Sequence, residues 1–285
     1  MNASRLLILV LACAAAFSSC RRNVSESLQS AEDNAAIETE YAQVYDVVCD
    51  YAQTDYHTGK TDDYILPSGA TVTFADTTFD DGDGIEFTLD YGPLDHGTNY
   101  KGILCKDGRY RAGKIHVGMT ARWSQTPSTI IITISTADAY YLGNGTKMYQ
   151  LSGLKTVEHT SATSYTFTVS NATLQRDNGT VTWSAERTIT QTYDSPNGWY
   201  NDEYEITGSA EGTNVNGIHF SANIVTPLKK KLTLGCLSTF VKGDIMLTNS
   251  NGKVLDINYD SYSNEACDKA VTVTYNGHSN IIQVW

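Results

Sequence analysis

The chain has 285 residues with 20 Lys and Arg against 32 Asp and Glu, a net charge of −12. That balance argues against nucleic acid as a partner, because binding through counterion release needs clustered cations. The one basic run, Lys229-Lys230-Lys231, reads better as lysines at a strand end that discourage edge-to-edge pairing.

Arg5, an apolar run from Leu6 to Phe17 and then Ser18-Ser19-Cys20 have the form of a secretory signal, too short to span a bilayer as a mature helix. Small residues directly before a cysteine suit a lipoprotein signal, in which the thiol takes diacylglycerol before cleavage. The expectation is a signal peptide over residues 1–19 and Cys20 as the acylated, palmitate-bearing first mature residue. Cys13 is a poorer candidate because its apolar run holds only Leu6 to Ala12. The alternative is ordinary cleavage near Ser18, leaving Cys20 a plain thiol. Without residues 1–19 the chain loses one cation, Arg5, and 19 Lys and Arg face 32 Asp and Glu, a net charge of −13. Arg21 is not the Asp that commonly retains lipoproteins at the inner membrane, so the outer membrane is expected. The default is its periplasmic side, since Arg21 and Arg22 stand where surface-exported relatives carry acids; the cell surface is the alternative.

A tether over residues 20–24 leads to an amphipathic helix over residues 25–49. Leu28, Ala31, Ala35, Tyr41, Val44 and Val48 recur at helical spacing, with Ile37 filling one slip, so one face expects an apolar partner. Residues 50–69, polar and punctuated by Gly59, Pro67 and Gly69, read as a linker. From residue 70 to 285 the texture is β, as one domain or two subdomains. Tyr165, Phe167 and Val169 alternate with Thr166, Thr168 and Ser170, and Ile115, Val117, Met119, Ala121 and Trp123 with Lys114, His116, Thr120 and Arg122, which is the period of half-buried strands.

Asn-Gly, a strong hairpin signal, begins at Asn144, Asn178, Asn197, Asn216, Asn251 and Asn276. The steps from Asn144 to Asn178, Asn216 and Asn251 each fit two strands and a turn. This predicts long strands in an up-and-down antiparallel meander with those turns at one end. The opposite turns are expected near Ser161, within Asp194 to Asn201, and near Pro227 to Lys231. Ten or so such strands are too wide for one helix to cover, so the sheet is expected to curl into a partial barrel or fold into a sandwich, closure being favoured because Gly208 on the apolar face suggests a second layer. A half-open sheet with the helix as a lid would instead suit a lipid carrier. A weak internal echo links Leu89-Asp90-Tyr91 and Cys105 to Ile257-Asn258-Tyr259 and Cys267.

Cys49, Cys105, Cys236 and Cys267 permit disulfides in an oxidising compartment. Cys236 with Cys267 is the pair expected, since two strands and the Asn251 turn return the chain to the same end. The best metal candidate is the loop carrying Asp81, Asp83 and Asp90, arranged partly like a calcium loop, but Phe79 takes its first ligand position. No cofactor is expected, calcium being the one candidate. His57, His96, His116, His159, His219 and His278 form no metal or nucleophile motif, and His116 and His219 read as surface residues. Trp123 and Trp183 read as core. Trp199 and Tyr200, in the long loop after Asp194, are the preferred candidates for binding a protein or glycan partner.

Ala31-Glu32-Asp33-Asn34-Ala35 followed by Tyr41 and Val44, Asp107-Gly108-Arg109 with Arg111 to Ile115, Tyr204 to Gly208, Thr226-Pro227-Leu228, and Leu255-Asp256 through Cys267 to Val273 carry a resemblance over most of the mature chain. The sequence resembles uncharacterised Bacteroidota cell-envelope lipoproteins. Asn258-Tyr259-Asp260-Ser261-Tyr262 departs from the Asp-Tyr-Gly-Asp-Gly loop common there. The resemblance implies an envelope lipoprotein and supplies no activity. Asp76-Thr77-Thr78 matches the short O-glycosylation pattern used in such envelopes, with Thr77 as acceptor. The expected function is thus a lipid-anchored, non-catalytic structural or interaction protein, with a hydrophobic-ligand carrier or an enzyme with an unrecognised site as alternatives.

Overall fold

The computed structural model describes residues 28–48, 66–95, 99–122, 125–196, 201–233, 236, 239–268 and 270–283. The expected signal peptide, Cys20 and the tether, Cys49, most of the linker, Trp123, Trp199 and Tyr200 lie outside the described residues.

One helix, α1 (residues 28–48), precedes sixteen strands. These are β1 (Thr71–Asp76), β2 (Ile85–Asp90), β3 (Ile103–Leu104), β4 (Tyr110–Ala112), β5 (Lys114–Met119), β6 (Ser128–Ile134), β7 (Tyr140–Gly143), β8 (Met148–Ser161), β9 (Ser164–Arg176), β10 (Gly179–Tyr193), β11 (Glu203–Thr213), β12 (His219–Lys231), β13 (Lys242–Asn249), β14 (Val254–Asn258), β15 (Ala270–Tyr275) and β16 (His278–Gln283). All pair antiparallel in one sheet, ordered β1-β2-β5-β6-β8-β9-β10-β11-β12-β13-β14-β15-β16. The short ladder β3-β4-β7 joins it at β8, whose first residues pair β7 while Gly153 to His159 pair β6. The sheet stays open, with β1 and β16 each paired on one side.

Period-two patterning sets the long central strands. On β10, Val181, Trp183, Ala185, Arg187 and Ile189 face inward and are buried, while Thr180, Thr182, Glu186, Thr188 and Thr190 face out. The tight turns follow β7, β9, β11, β13 and β15, all at one end of the sheet as expected. Asn276 and Gly277 both have positive φ, as a two-residue primed hairpin demands. Asn144, Asn214 and Asn249 each accept two backbone N–H bonds in their turns, which fixes the register beside them.

The turns expected at the opposite end lie between β8 and β9, between β10 and β11, and between β12 and β13; Pro227 to Lys231 themselves continue β12, so the last falls just after them. Register shifts on both sides of Pro227 let this residue, which has no N–H to give, stay in the strand.

The meander with one N-terminal helix is as expected, but the closure favoured from the sequence is absent: the sheet stays open, with the helix on its inner side. Side chains of β8, β9, β10 and β12, and of the turn before β4, all reach α1, and no residue of α1 is exposed. The sheet therefore curls around the helix, which forms the centre of the core. Ala31, Ala35, Ile37, Tyr41, Val44 and Val48 join one hydrophobic cluster with the inward residues of the strands. Gly208 does not mark a second layer: a Cβ there would collide with the Glu186 carbonyl on neighbouring β10, and its φ of 124° serves a bulge opposite β12. Gly153 is where the helix comes close, since a Cβ there would meet the Tyr41 hydroxyl and the Ala172 backbone.

Candidate functional site

Sequence reading gives α1 one apolar face; the structure buries its polar face as well. Four acids along the helix each meet a cation from the sheet. Asp33 lies 2.6 Å from Arg176, Glu38 2.9 Å from Arg187, Glu40 2.7 Å from Arg109, and Asp46 2.9 Å from Lys230. Asp33 also accepts the Val215 N–H at 3.0 Å. Burial pushes the Asp33 carboxyl up, and the Val215 N–H and Arg176 only partly offset it. The Trp183 indole N–H donates to Asn34, the Tyr41 hydroxyl to the Ser152 carbonyl at 2.7 Å, and Asn214 to the Ser30 hydroxyl. The Lys155 ammonium donates to the Tyr41 carbonyl at 3.2 Å and lies over the rings of Tyr45 and Phe167, a desolvated cation–π arrangement. The Asn34 amide nitrogen, one Glu38 oxygen and the Gln43 amide nitrogen are buried without a hydrogen-bond partner.

A second buried cluster lies beside β4. Arg111 donates twice to Asp107, at 2.9 and 2.6 Å, and borders Tyr91 and Tyr140, whose rings are 6.1 Å apart. Burial pushes Asp107 up, but the two Arg111 bonds and the guanidinium charge outweigh it and hold the carboxyl below its usual range. Burial pushes Tyr140 up to about 12. Cys105, expected as a disulfide candidate, is a free thiol here; burial raises it despite Arg111, which leaves little thiolate for nucleophilic work. Cys236 and Cys267 are joined as expected, with Cα atoms 4.9 Å apart.

The metal candidate changes membership. Asp81 and Asp83, exposed on the loop after β1, converge with half-buried Asp76 at the end of that strand, their oxygens within 4.8 Å of one another. Asp90 is not part of it: one of its oxygens accepts the Gly92 N–H at 2.8 Å and the other faces Lys114. Hydrogen bonding and repulsion from Asp81 push the Asp83 carboxyl up. Three converging carboxylates offer hard oxygen ligands to a divalent cation, in chemistry typical of exposed acidic loops.

His116 is on the outer face as expected, but it has company. Its Nδ1 is 3.0 Å from the Thr88 hydroxyl, directly opposite on β2, and its Nε2 is 3.0 Å from Asp138. The row has the members of a nucleophile, base and orienting acid. It stands on the solvent side of the sheet with His116 and Asp138 more than a third exposed, where water competes for every bond in it. His219 is exposed, as is Thr77, and Trp183 is buried as expected.

At the end opposite the tight turns, buried Asp202 links the ends of β10 and β11 by accepting from the Ser195 N–H at 2.8 Å, Gln191 and the Tyr204 hydroxyl. Glu265 bridges Lys229, Lys231 and Lys242 beside the disulfide. Comparison with family models, with characterised proteins and with solved structures found no match. What sequence reading missed is the acid-to-base pairing along α1. Its signal was the set of five acids on one helix, four of which have partners far along the chain.

Proposed function

We propose that this protein is a lipid-anchored cell-envelope protein, held through Cys20 and acting as a non-catalytic structural or interaction module, like the envelope lipoproteins that its sequence resembles. The observation that carries this reading is the occupation of the concave side of the sheet by α1. A carrier of acyl chains needs an apolar cavity, and here that space holds a helix bonded on its polar face and packed on its apolar one. The titratable row of Thr88, His116 and Asp138 lies in the open, which favours interaction over catalysis. The outer-membrane placement follows from Arg21 after the cysteine, and the end opposite the tight turns is the place for a protein or glycan partner.

Native mass spectrometry of the protein purified from its envelope tests both halves. The expected particle carries the acyl mass on Cys20 and no other ligand. A second, stoichiometric lipid would establish the carrier instead. A Cys20→Ala protein that remained membrane-bound and acylated would refute the anchor.

A further inference from the structure

The direction of α1 orients the molecule. Its first turns meet the tight-turn end: Ser30 is bonded by Asn214, and Asp33 by Val215 and Arg176, which flank the turns after β11 and β9. Only seven residues separate Leu28 from Cys20, a reach of at most roughly 28 Å even when fully extended. A lipid on Cys20 therefore brings the tight-turn end to the bilayer and leaves the opposite end away from it.

That same end carries exposed apolar side chains. Tyr100 is 49% and Leu104 54% exposed. Tyr100 stacks on Tyr110, with ring centroids 5.2 Å apart, and Leu104 is the cross-strand partner of Tyr110. The turn at Asn144-Gly145 backs both rings, with Gly145 pressed against them and its carbonyl accepting the Lys101 N–H at 2.9 Å. Around the rings stand Lys101, Lys106 and Lys147, all exposed, with Lys147 3.9 Å from Asp177, and Asp95, Asp107 and Asp177 are the exposed acids nearby. Asp107 and Arg109 are already neutralised, by Arg111 and Glu40.

Tyrosines with an apolar body and a polar tip, an adjacent leucine and flanking lysines form the chemistry of a membrane interface, where rings settle at headgroup depth and ammonium groups meet lipid phosphates. We infer that Tyr100, Leu104 and Tyr110, with Lys101, Lys106 and Lys147, form a membrane-resting foot that seats the tight-turn end on an anionic lipid surface. The inference rests on the anchoring reading above. The acyl chain holds the protein to the membrane; the foot sets its tilt, so that the opposite end of the sheet, with Tyr193, Glu203, Lys231 and Lys242, points outward.

The test is hydrogen exchange on the acylated protein in vesicles of phosphatidylcholine with about a quarter phosphatidylglycerol, compared with the same protein in detergent. Exchange over residues 99–106 and 144–147 is expected to slow by about tenfold on the vesicles and to recover in part at high salt, while residues 259–268 stay unchanged. A Tyr100→Ser, Leu104→Ser protein is expected to float with the vesicles through its acyl chain and to lose the slowing. Unchanged exchange over 99–106 in a floating, acylated protein, or slowing confined to 259–268, overturns the foot while leaving the anchor intact. A Cys20 peptide without its acyl mass overturns both.

Discussion

Replacing Arg187 with Met removes the charge at the centre of the molecule and keeps most of the side chain's apolar length. Arg187 and Glu38 are 0% and 4% exposed, joined by bonds of 3.0 and 2.9 Å to one Glu38 oxygen, while the other oxygen already lacks a donor. The variant leaves a buried carboxylate with no cation, a loss of about 3–5 kcal/mol. Against a whole-protein stability of about 5–15 kcal/mol, and at about 2–4 °C per kcal/mol for a chain of this size, the melting temperature should fall by roughly 6–20 °C. The double variant Glu38→Met, Arg187→Met removes the orphaned charge and should return to within about 1 kcal/mol of the parent, because an apolar pair of similar volume replaces a buried ion pair at little cost. Urea unfolding of the four proteins in the cycle, followed by circular dichroism, gives a coupling energy expected to exceed about 2 kcal/mol. An Arg187→Met protein that melts with the parent, or a double variant no better than the single, would refute the account of α1 as a helix held inside the sheet by paired charge.

Tyr41→Phe deletes the buried hydroxyl that donates to the Ser152 carbonyl and should cost about 1–2 kcal/mol in urea unfolding. Gly153→Ala should cost more, and Tyr41→Phe should not rescue it, because the Ala172 backbone, 2.8 Å from the new Cβ, still blocks it at a φ of 139°. The three lysines around Glu265 hold its carboxyl down to about 2, below the usual 4.5. A depressed acid stabilises the fold above its unfolded value and loses that contribution as pH falls through the window from about 4.5 to about 2. The Glu265→Gln protein should accordingly show a flatter stability profile across that window, and an unchanged acid limb would count against the bridge. The Cys236–Cys267 bond spans a sequence separation of 31, so a Cys236→Ala, Cys267→Ala protein should lose about 3–4 kcal/mol by loop-closure entropy. Peptide mapping without reduction that found both thiols free would remove the basis for that figure.

The meander was legible in the sequence because its determinants are local. Alternation such as Tyr165 to Ser170 places each side chain above or below the sheet by backbone geometry alone. Asn-Gly pairs mark the turns at Asn144, Asn178, Asn216, Asn251 and Asn276, by positive φ at both residues in the last and by side-chain bonds of Asn144, Asn214 and Asn249 to turn N–H groups in three others. The helix over residues 28–48 likewise declared itself by the spacing of its apolar residues. Pro227 misled because a proline ordinarily ends a strand, and nothing nearby in the chain signals that register shifts on both flanks can absorb it.

What the sequence could not give is where the helix goes. An apolar face on α1 fits equally a lid, a layer or a central core, since each buries the same residues. The choice rests on Asp33, Glu38, Glu40 and Asp46, which read as a solvated face until Arg176, Arg187, Arg109 and Lys230 arrive from strands and turns brought together only by the curled sheet. Charges of this kind cannot be buried singly, so acid and base become core residues together or not at all. The convergence of Asp76 with Asp81 and Asp83 has the same origin, set by a bulge in the pairing of β1 with β2 rather than by loop spacing. Local geometry wrote the strands and turns into the sequence, and the pairing of distant charges, visible only once the sheet has curled, decided what fills its interior.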